Sequence, residues 1–105
     1  EFSQAILNII SNAKDVLIQR KIKEPIINIS VAKVDGKIHI QIEDNAKGIK
    51  EEILNNIFDP YFTTKHKSQG TGIGLYMTKM IIENNMNGKI QVQNTEKGAL
   101  FTIIL

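Results

Sequence analysis

The 105-residue chain has no cysteine, which excludes disulfides and thiolate metal sites without naming a compartment. It has no large excess of charge either. Thirteen Lys and Arg against eleven Asp and Glu leave a net +2, and the basic residues are scattered. That pattern supports neither a nucleic-acid stripe nor a membrane-surface helix, so no nucleic acid and no direct membrane contact are expected. No apolar run is long enough to span a bilayer, and no segment resembles a signal peptide. Internal repeats, low-complexity tracts and linkers are also lacking. The chain starts at Glu1-Phe2, without methionine and inside a helical pattern, and is expected to be an excised piece of a longer protein. Its apolar content of 42% suffices for one core in a single domain over residues 1–105.

The most distinctive stretch is Gly70-Thr71-Gly72-Ile73-Gly74-Leu75, three glycines on alternate positions leading into an apolar helical pattern. Glycine lets backbone approach a phosphate closely, and the bared N–H groups and dipole of a helix start favour negative charge. Taken alone, the run fits an anion site or an ordinary flexible loop equally well.

From Phe2 to about Arg20 the spacing predicts a helix whose apolar face carries Phe2, Ile6, Ile9, Ala13, Val16 and Leu17. Gln4, Asn8, Asn12 and Asp15 project within one narrow opposite arc, with Ser11 at its edge. Short amides and a carboxylate are poor helix formers and good ligand groups, so the arc is either a polar surface or a binding face. Lys23-Glu24-Pro25 ends the helical pattern, and two period-two runs follow across an Asp35-Gly36 turn. Ile27, Ile29 and Val31 alternate in the first run, and Ile38, Ile40 and Ile42 in the second, with Asp44 next in the apolar register. Either Asp44 points inward and needs hydrogen-bond donors, or the strand frays and the carboxylate turns to solvent.

Ile49, Ile53 and Ile57 mark a short helical segment that Phe58-Asp59-Pro60 ends. The polar stretch that follows, with Thr63, Thr64, Lys65, His66 and Lys67, reads as a lid or as a solubilising loop, and His66 as solvated rather than catalytic. After Gly74, Leu75, Met77, Met80, Ile81 and Ile82 predict a deeply packed helix closed by Asn87-Gly88, with the glycine left-handed and the methionines in the core. Ile90 and Val92 form another strand. Ala99 to Leu105 form a last one, apolar on both faces and therefore central.

Local context excludes several phosphate motifs. A dinucleotide fold needs a strand running directly into its glycines, a P-loop needs Gly-Lys-Ser/Thr where Leu75-Tyr76 stands, and a protein-kinase glycine loop joins two strands. The ordered set is more specific: Asn8-x-x-x-Asn12-Ala13, Asp44-Asn45-Ala46-Lys47-Gly48-Ile49, Phe58-Asp59-Pro60-Tyr61-Phe62-Thr63-Thr64-Lys65, Gly70 to Leu75, and Gly98-Ala99-Leu100-Phe101. This set resembles the catalytic ATP-binding domain of sensor histidine kinases, matching its N, G1, F, G2 and G3 boxes in order over nearly the whole chain. The wider superfamily includes gyrase-type topoisomerases, mismatch-repair ATPases and heat-shock chaperones, and the string from Phe58 to Lys65 points to the histidine-kinase branch.

The resemblance implies an α+β fold: a two-layer α/β sandwich of the Bergerat ATP-binding type, with helices on one face of a mixed, mainly antiparallel sheet. Domains of this family normally carry another strand and helix before the Asn-bearing helix, so the resemblance implies N-terminal truncation. Carried over residue by residue, Asp44 would accept the adenine amino hydrogen, and Asn12 would ligate Mg²⁺ beside triphosphate oxygens and waters. Asn8 and Asp15 would line the same site, Asp15 at a position where the family varies. Ala46, Gly48, Ile49 and Ala99 are further nucleotide-binding positions, and Phe58 and Phe62 would anchor the lid. Thr64 and Lys65 would face the terminal phosphates, with Gly70, Thr71, Gly72, Ile73, Gly74 and Leu75 closing on them; Asn8, Asn12 and Lys65 form the implied catalytic set. Two positions depart from the family: Ala46 replaces a usual glycine, which would cost about 1 kcal/mol if positive φ were required, and Ala99 replaces a common threonine.

The implied activity is presentation of the ATP γ-phosphate to a histidine on a separate dimerisation domain of the same parent, with a response regulator downstream. The implied location is cytoplasmic, on a parent that is either free or anchored in the inner membrane. Neither His39 in a strand nor His66 in the lid has the acceptor motif. Two alternatives stay open: an ATP-hydrolysing clamp, whose family members place a glutamate where Asn8 stands, and a nucleotide-binding module without catalysis.

Overall fold

The computed structural model describes residues 1–60 and 74–105. Helix α1 spans Phe2–Gln19 and buries Ala5, Ile9, Ala13 and Leu17, a stripe recurring every four residues. Phe2, Ile6 and Val16 are half-buried at its flanks, so the core stripe is centred on Ala5 rather than on Phe2 and Ile6. The helix ends before Pro25 is reached. Lys21 takes φ 53°, its N–H donates to the Ile18 carbonyl at 3.1 Å, and the Ile22 N–H donates to Leu17 at 3.1 Å. This is a Schellman stop, with lysine in the left-handed position usually held by glycine.

Strands β1 (Ile27–Val34) and β2 (Lys37–Asp44) form a hairpin. Positive φ at both Asp35 and Gly36, 51° and 80°, gives the two-residue turn that Asp-Gly favours. Strands β3 (Lys89–Asn94) and β4 (Ala99–Ile104) complete a sheet of order β1-β2-β4-β3 in which every pairing is antiparallel. As its two apolar faces predict, β4 is central. Helices α2 (Glu51–Leu54) and α3 (Gly74–Met80) follow β2, and α3 continues into a π-helical turn, Ile81–Asn85. The helical layer meets one face of the sheet: Ala5, Ile9, Ile81 and Ile82 pack with Ile42, Ile90, Phe101 and Ile103. Each isoleucine and phenylalanine among them contributes roughly 1.5–3 kcal/mol on burial, so this shared core fixes α1 and α3 over β2 and β4.

Three expectations for the last helix are corrected. The Met86 N–H donates to the Ile81 carbonyl, five residues back, so the helix ends in a widened turn rather than a regular one. Met77 and Met86 are 44% and 36% exposed, because Thr78, Ile81 and Ile82 form the packed stripe. Asn87, with φ 56°, takes the left-handed position, and Gly88 follows it against the end of β4. The segment from Ile49 to Ile57 is helical only over Glu51–Leu54.

Candidate functional site

Asp44 is the last residue of β2, paired with Ile27 and in the inward register of Ile40 and Ile42. It is only 7% exposed, so the frayed-end alternative fails. Its Oδ1 accepts from the Ala46 N–H at 2.9 Å and from the Ala99 N–H at 3.3 Å. Among the described residues no protein group donates to Oδ2. The chain can approach this closely because residue 98 is glycine: a Cβ there would collide with the Asp44 carbonyl oxygen and lie 2.6 Å from Oδ1. Backbone donors therefore fix one oxygen and aim the other, an arrangement suited to reading a ligand N–H.

The loop after Asp44 is held at several points. Lys47 and Gly48 have φ 72° and 84°, and the Lys47 N–H donates to Lys97 at 3.3 Å. Ala46 is buried with ordinary φ, which removes the anticipated strain: the left-handed residues are the two that follow it. A Cβ on Gly48 would also lie 2.9 Å from Asn94 Oδ1, so both conformation and space favour glycine there. Asn94 pairs with Ile49 as a strand would, accepting its N–H at 2.8 Å and donating Nδ2 to its carbonyl at 2.7 Å. Asn45 bridges to the start of β1, accepting from the Ile26 N–H at 2.9 Å and donating to Glu24 at 2.8 Å. Arg20 Nη1 donates to the Ala46 carbonyl and, at 2.7 Å, to the Gly48 carbonyl.

The other wall comes from α1. Gln4 Nε2 donates to Asn8 Oδ1 at 2.9 Å, and Asn8 Nδ2 donates to the Gly74 carbonyl at 3.2 Å. Thr78 Oγ1 donates to that same carbonyl at 3.0 Å, so Asn8 pins the start of α3 to α1. Asn12 and Asp15 are half-buried farther along the helix. The contacts of α1 at Asn8 and at Arg20 are about 18 Å apart along its axis at 1.5 Å per residue. Helix α1 thus joins the glycine-run end of the site to the Asp44 loop. Beyond the loop, Ile49, Phe58 and Leu75 pack against the core. The Phe58 ring meets Phe101 edge to face at 6.1 Å and lies 5.6 Å from Lys79 Nζ.

The structure brings Asp44, Ala46, Gly48, Ile49 and Ala99 together at one end and Asn8 and Gly74 together at the other. Phe62, Thr64, Lys65, His66, Gly70, Thr71, Gly72 and Ile73 lie outside the described residues. Arg20, Asn45, Asn94 and Gly98 belong to the site's framework but were not among the expected binding residues. Asn94 had a signal of the same kind as Asp44, a polar residue continuing the inward register of Ile90 and Val92. A cavity of about 280 Å³ also touches Asp44, but it opens beside Asn28 and Glu43, away from Asn8 and Gly74. Among the described residues no cluster of His, Cys, Asp or Glu could hold a metal by itself, and no helix is long and apolar enough to cross a membrane.

Comparison with known proteins agrees with this geometry. The family described as histidine kinase-, DNA gyrase B- and HSP90-like ATPase matches residues 1–105. The two-component sensor PprA of Pseudomonas aeruginosa is 32% identical across 100% of the chain, which corresponds to 12% of that protein. Sensor histidine kinase ZraS of Escherichia coli K12 is 38% identical across 98% of the chain and 21% of its own length. The chain therefore spans about an eighth to a fifth of these two relatives. Among solved structures, the nucleotide-free catalytic domain of histidine kinase ThkA superposes with TM-score 0.77 at 29% identity, covering 97% of this chain and 62% of that one. The mycobacterial sensor histidine kinase MprB shares the fold at TM-score 0.77 and 22% identity, over 97% of this chain and 67% of its own. The chain belongs to the family of histidine kinase-, DNA gyrase B- and HSP90-like ATPases, with the two-layer antiparallel architecture of histidine kinase catalytic domains.

Proposed function

We propose that this chain is the catalytic ATP-binding domain of a sensor histidine kinase, which presents the ATP γ-phosphate to a histidine on a separate dimerisation domain of its parent. The observation that carries the reading is the Asp44 carboxylate, buried in the register of isoleucines, with Oδ1 held by two backbone donors and Oδ2 left for a ligand. An exocyclic amino group of adenine is the complement of such an acceptor. Ala46, Gly48, Ile49 and Ala99 frame the base, while Asn8, Asn12 and Asp15 line the path toward the phosphates. Phe58 anchors the lid from the core side. Phe62, Thr64, Lys65 and the run from Gly70 to Leu75 complete the phosphate end on the sequence pattern.

The donor set fits Mg²⁺ arriving with the nucleotide. One Asn12 carbonyl oxygen cannot hold the ion unaided, and Mg²⁺ keeps waters and phosphate oxygens in preference to an all-protein cage. When bound, the ion would neutralise charge on the transferring phosphoryl group. The kinase reading outweighs a hydrolytic clamp because Asn8 carries an amide, which cannot take a proton from water, and that amide is engaged with Gln4 and Gly74. A response regulator downstream and a cytoplasmic location, on a parent either free or membrane-anchored, belong to the same proposal.

The test is phosphoryl transfer in trans. The 105-residue chain with Mg-ATP should label a separately supplied dimerisation domain of the parent at its histidine, and Asn12→Ala should reduce transfer at least a hundredfold. Rapid release of free phosphate by the chain alone, lost in Asn12→Ala, would favour the clamp instead.

A further inference from the structure

We infer that Arg20 is a positioning residue for nucleotide recognition, acting through the backbone of Ala46 on Asp44. The inference rests on the reading of Asp44 as the adenine acceptor. The backbone of Ala46 is held on both sides of its Cα: its N–H donates to Asp44 Oδ1, and its carbonyl, in the following peptide unit, accepts from Arg20 Nη1. The same nitrogen donates to the Gly48 carbonyl at 2.7 Å. Between those carbonyls lie Lys47 and Gly48, both left-handed, and lysine enters that region only at a cost. Two carbonyl dipoles converging on one point would repel each other, and a guanidinium N–H pair turns that convergence into an attractive contact. Arg20 thus stabilises the loop conformation in which the Ala46 N–H is aimed at Asp44.

The placement of Arg20 is set by the end of α1. It is the C-cap residue, its own N–H bonds back to Val16, and left-handed Lys21 turns the chain away just beyond it. These capping bonds are backbone bonds, so replacing the Arg20 side chain leaves the helix stop in place. The side chain is also exposed, and its removal opens no core cavity. Asn45 and Asn94 anchor the flanks of the loop at Ile26 and Ile49, but neither touches the Ala46 carbonyl.

The experiment titrates Mg-ATP into the 105-residue chain and its Arg20→Met, Arg20→Lys, Asp44→Asn and Arg20→Met/Asp44→Asn variants, with thermal melting recorded for each. Arg20→Met should weaken ATP about tenfold with little change in melting temperature. Arg20→Lys, which keeps a cation able to reach one carbonyl, should recover part of that loss. The double variant should bind scarcely worse than Asp44→Asn alone, because groups acting in one chain of contacts are not additive. Losses that multiply in the double variant would overturn the inference, as would unchanged affinity in Arg20→Met while Asp44→Asn is impaired. Unchanged affinity in Asp44→Asn would overturn the adenine reading itself, and the inference with it.

Discussion

A carboxylate beside isoleucines is costly to bury unless donors meet it, and Asp44 meets two backbone N–H groups through one oxygen. The geometry depends on Gly98, which keeps the β3–β4 turn against the end of β2. In Gly98→Ala the new methyl would strike the Asp44 carbonyl and force the strands apart. We expect a loss of about 1–3 kcal/mol in urea denaturation, together with weaker ATP binding. An unchanged midpoint would show that the turn yields freely. Ala46 illustrates a different residue-scale effect: the resemblance implied a glycine position able to take positive φ, yet the φ of Ala46 is ordinary and the left-handed positions fall on Lys47 and Gly48.

At the scale of elements, the loop from Asn45 to Ile49 behaves as a short extra strand stitched to the sheet by side chains. Asn94 supplies both bonds that a neighbouring strand would give to Ile49. Asn94→Ala removes them, and at about 0.5–1.5 kcal/mol for each bond the loop should lose roughly 1–3 kcal/mol of local stability. Hydrogen exchange would read this as faster exchange at the Ile49 amide with the β3–β4 ladder unchanged. Equal protection of Ile49 in both proteins would refute the role given to Asn94.

The strands were legible in the sequence because their apolar residues recur with period two, although in β1 that alternation does not mark burial, since Ile29 and Val31 are exposed. Register alone carried Asp44 into the interior, and it places Asn94 on the face of Ile90 and Val92, where the residue stays exposed at the strand end. Arg20 was not legible: its partners lie twenty-six and twenty-eight residues away, and nothing in local spacing encodes where a helix-end side chain will land. The π-helical turn was also hidden, since Ile81 and Ile82 fit a regular helix equally well until β4 fixes which way each must point.

On the scale of the whole molecule, one core serves both layers, so the site has no framework apart from the fold. Ile82 is fully buried between the helical layer and the sheet. Ile82→Ala should cost about 2–5 kcal/mol, a large share of the 5–15 kcal/mol typical of a domain, and should depress ATP binding only by unfolding. Denaturation followed with and without saturating ATP would separate the two effects.

The central claim is that Asp44 Oδ2 reads the nucleotide base. Calorimetric titration of Mg-ATP into the wild-type chain and Asp44→Asn tests it most directly, with circular dichroism to check that both are folded. The account predicts saturable binding by the wild type and at least a tenfold weaker affinity in Asp44→Asn at equal fold content. Equal affinity in the two folded proteins would contradict it.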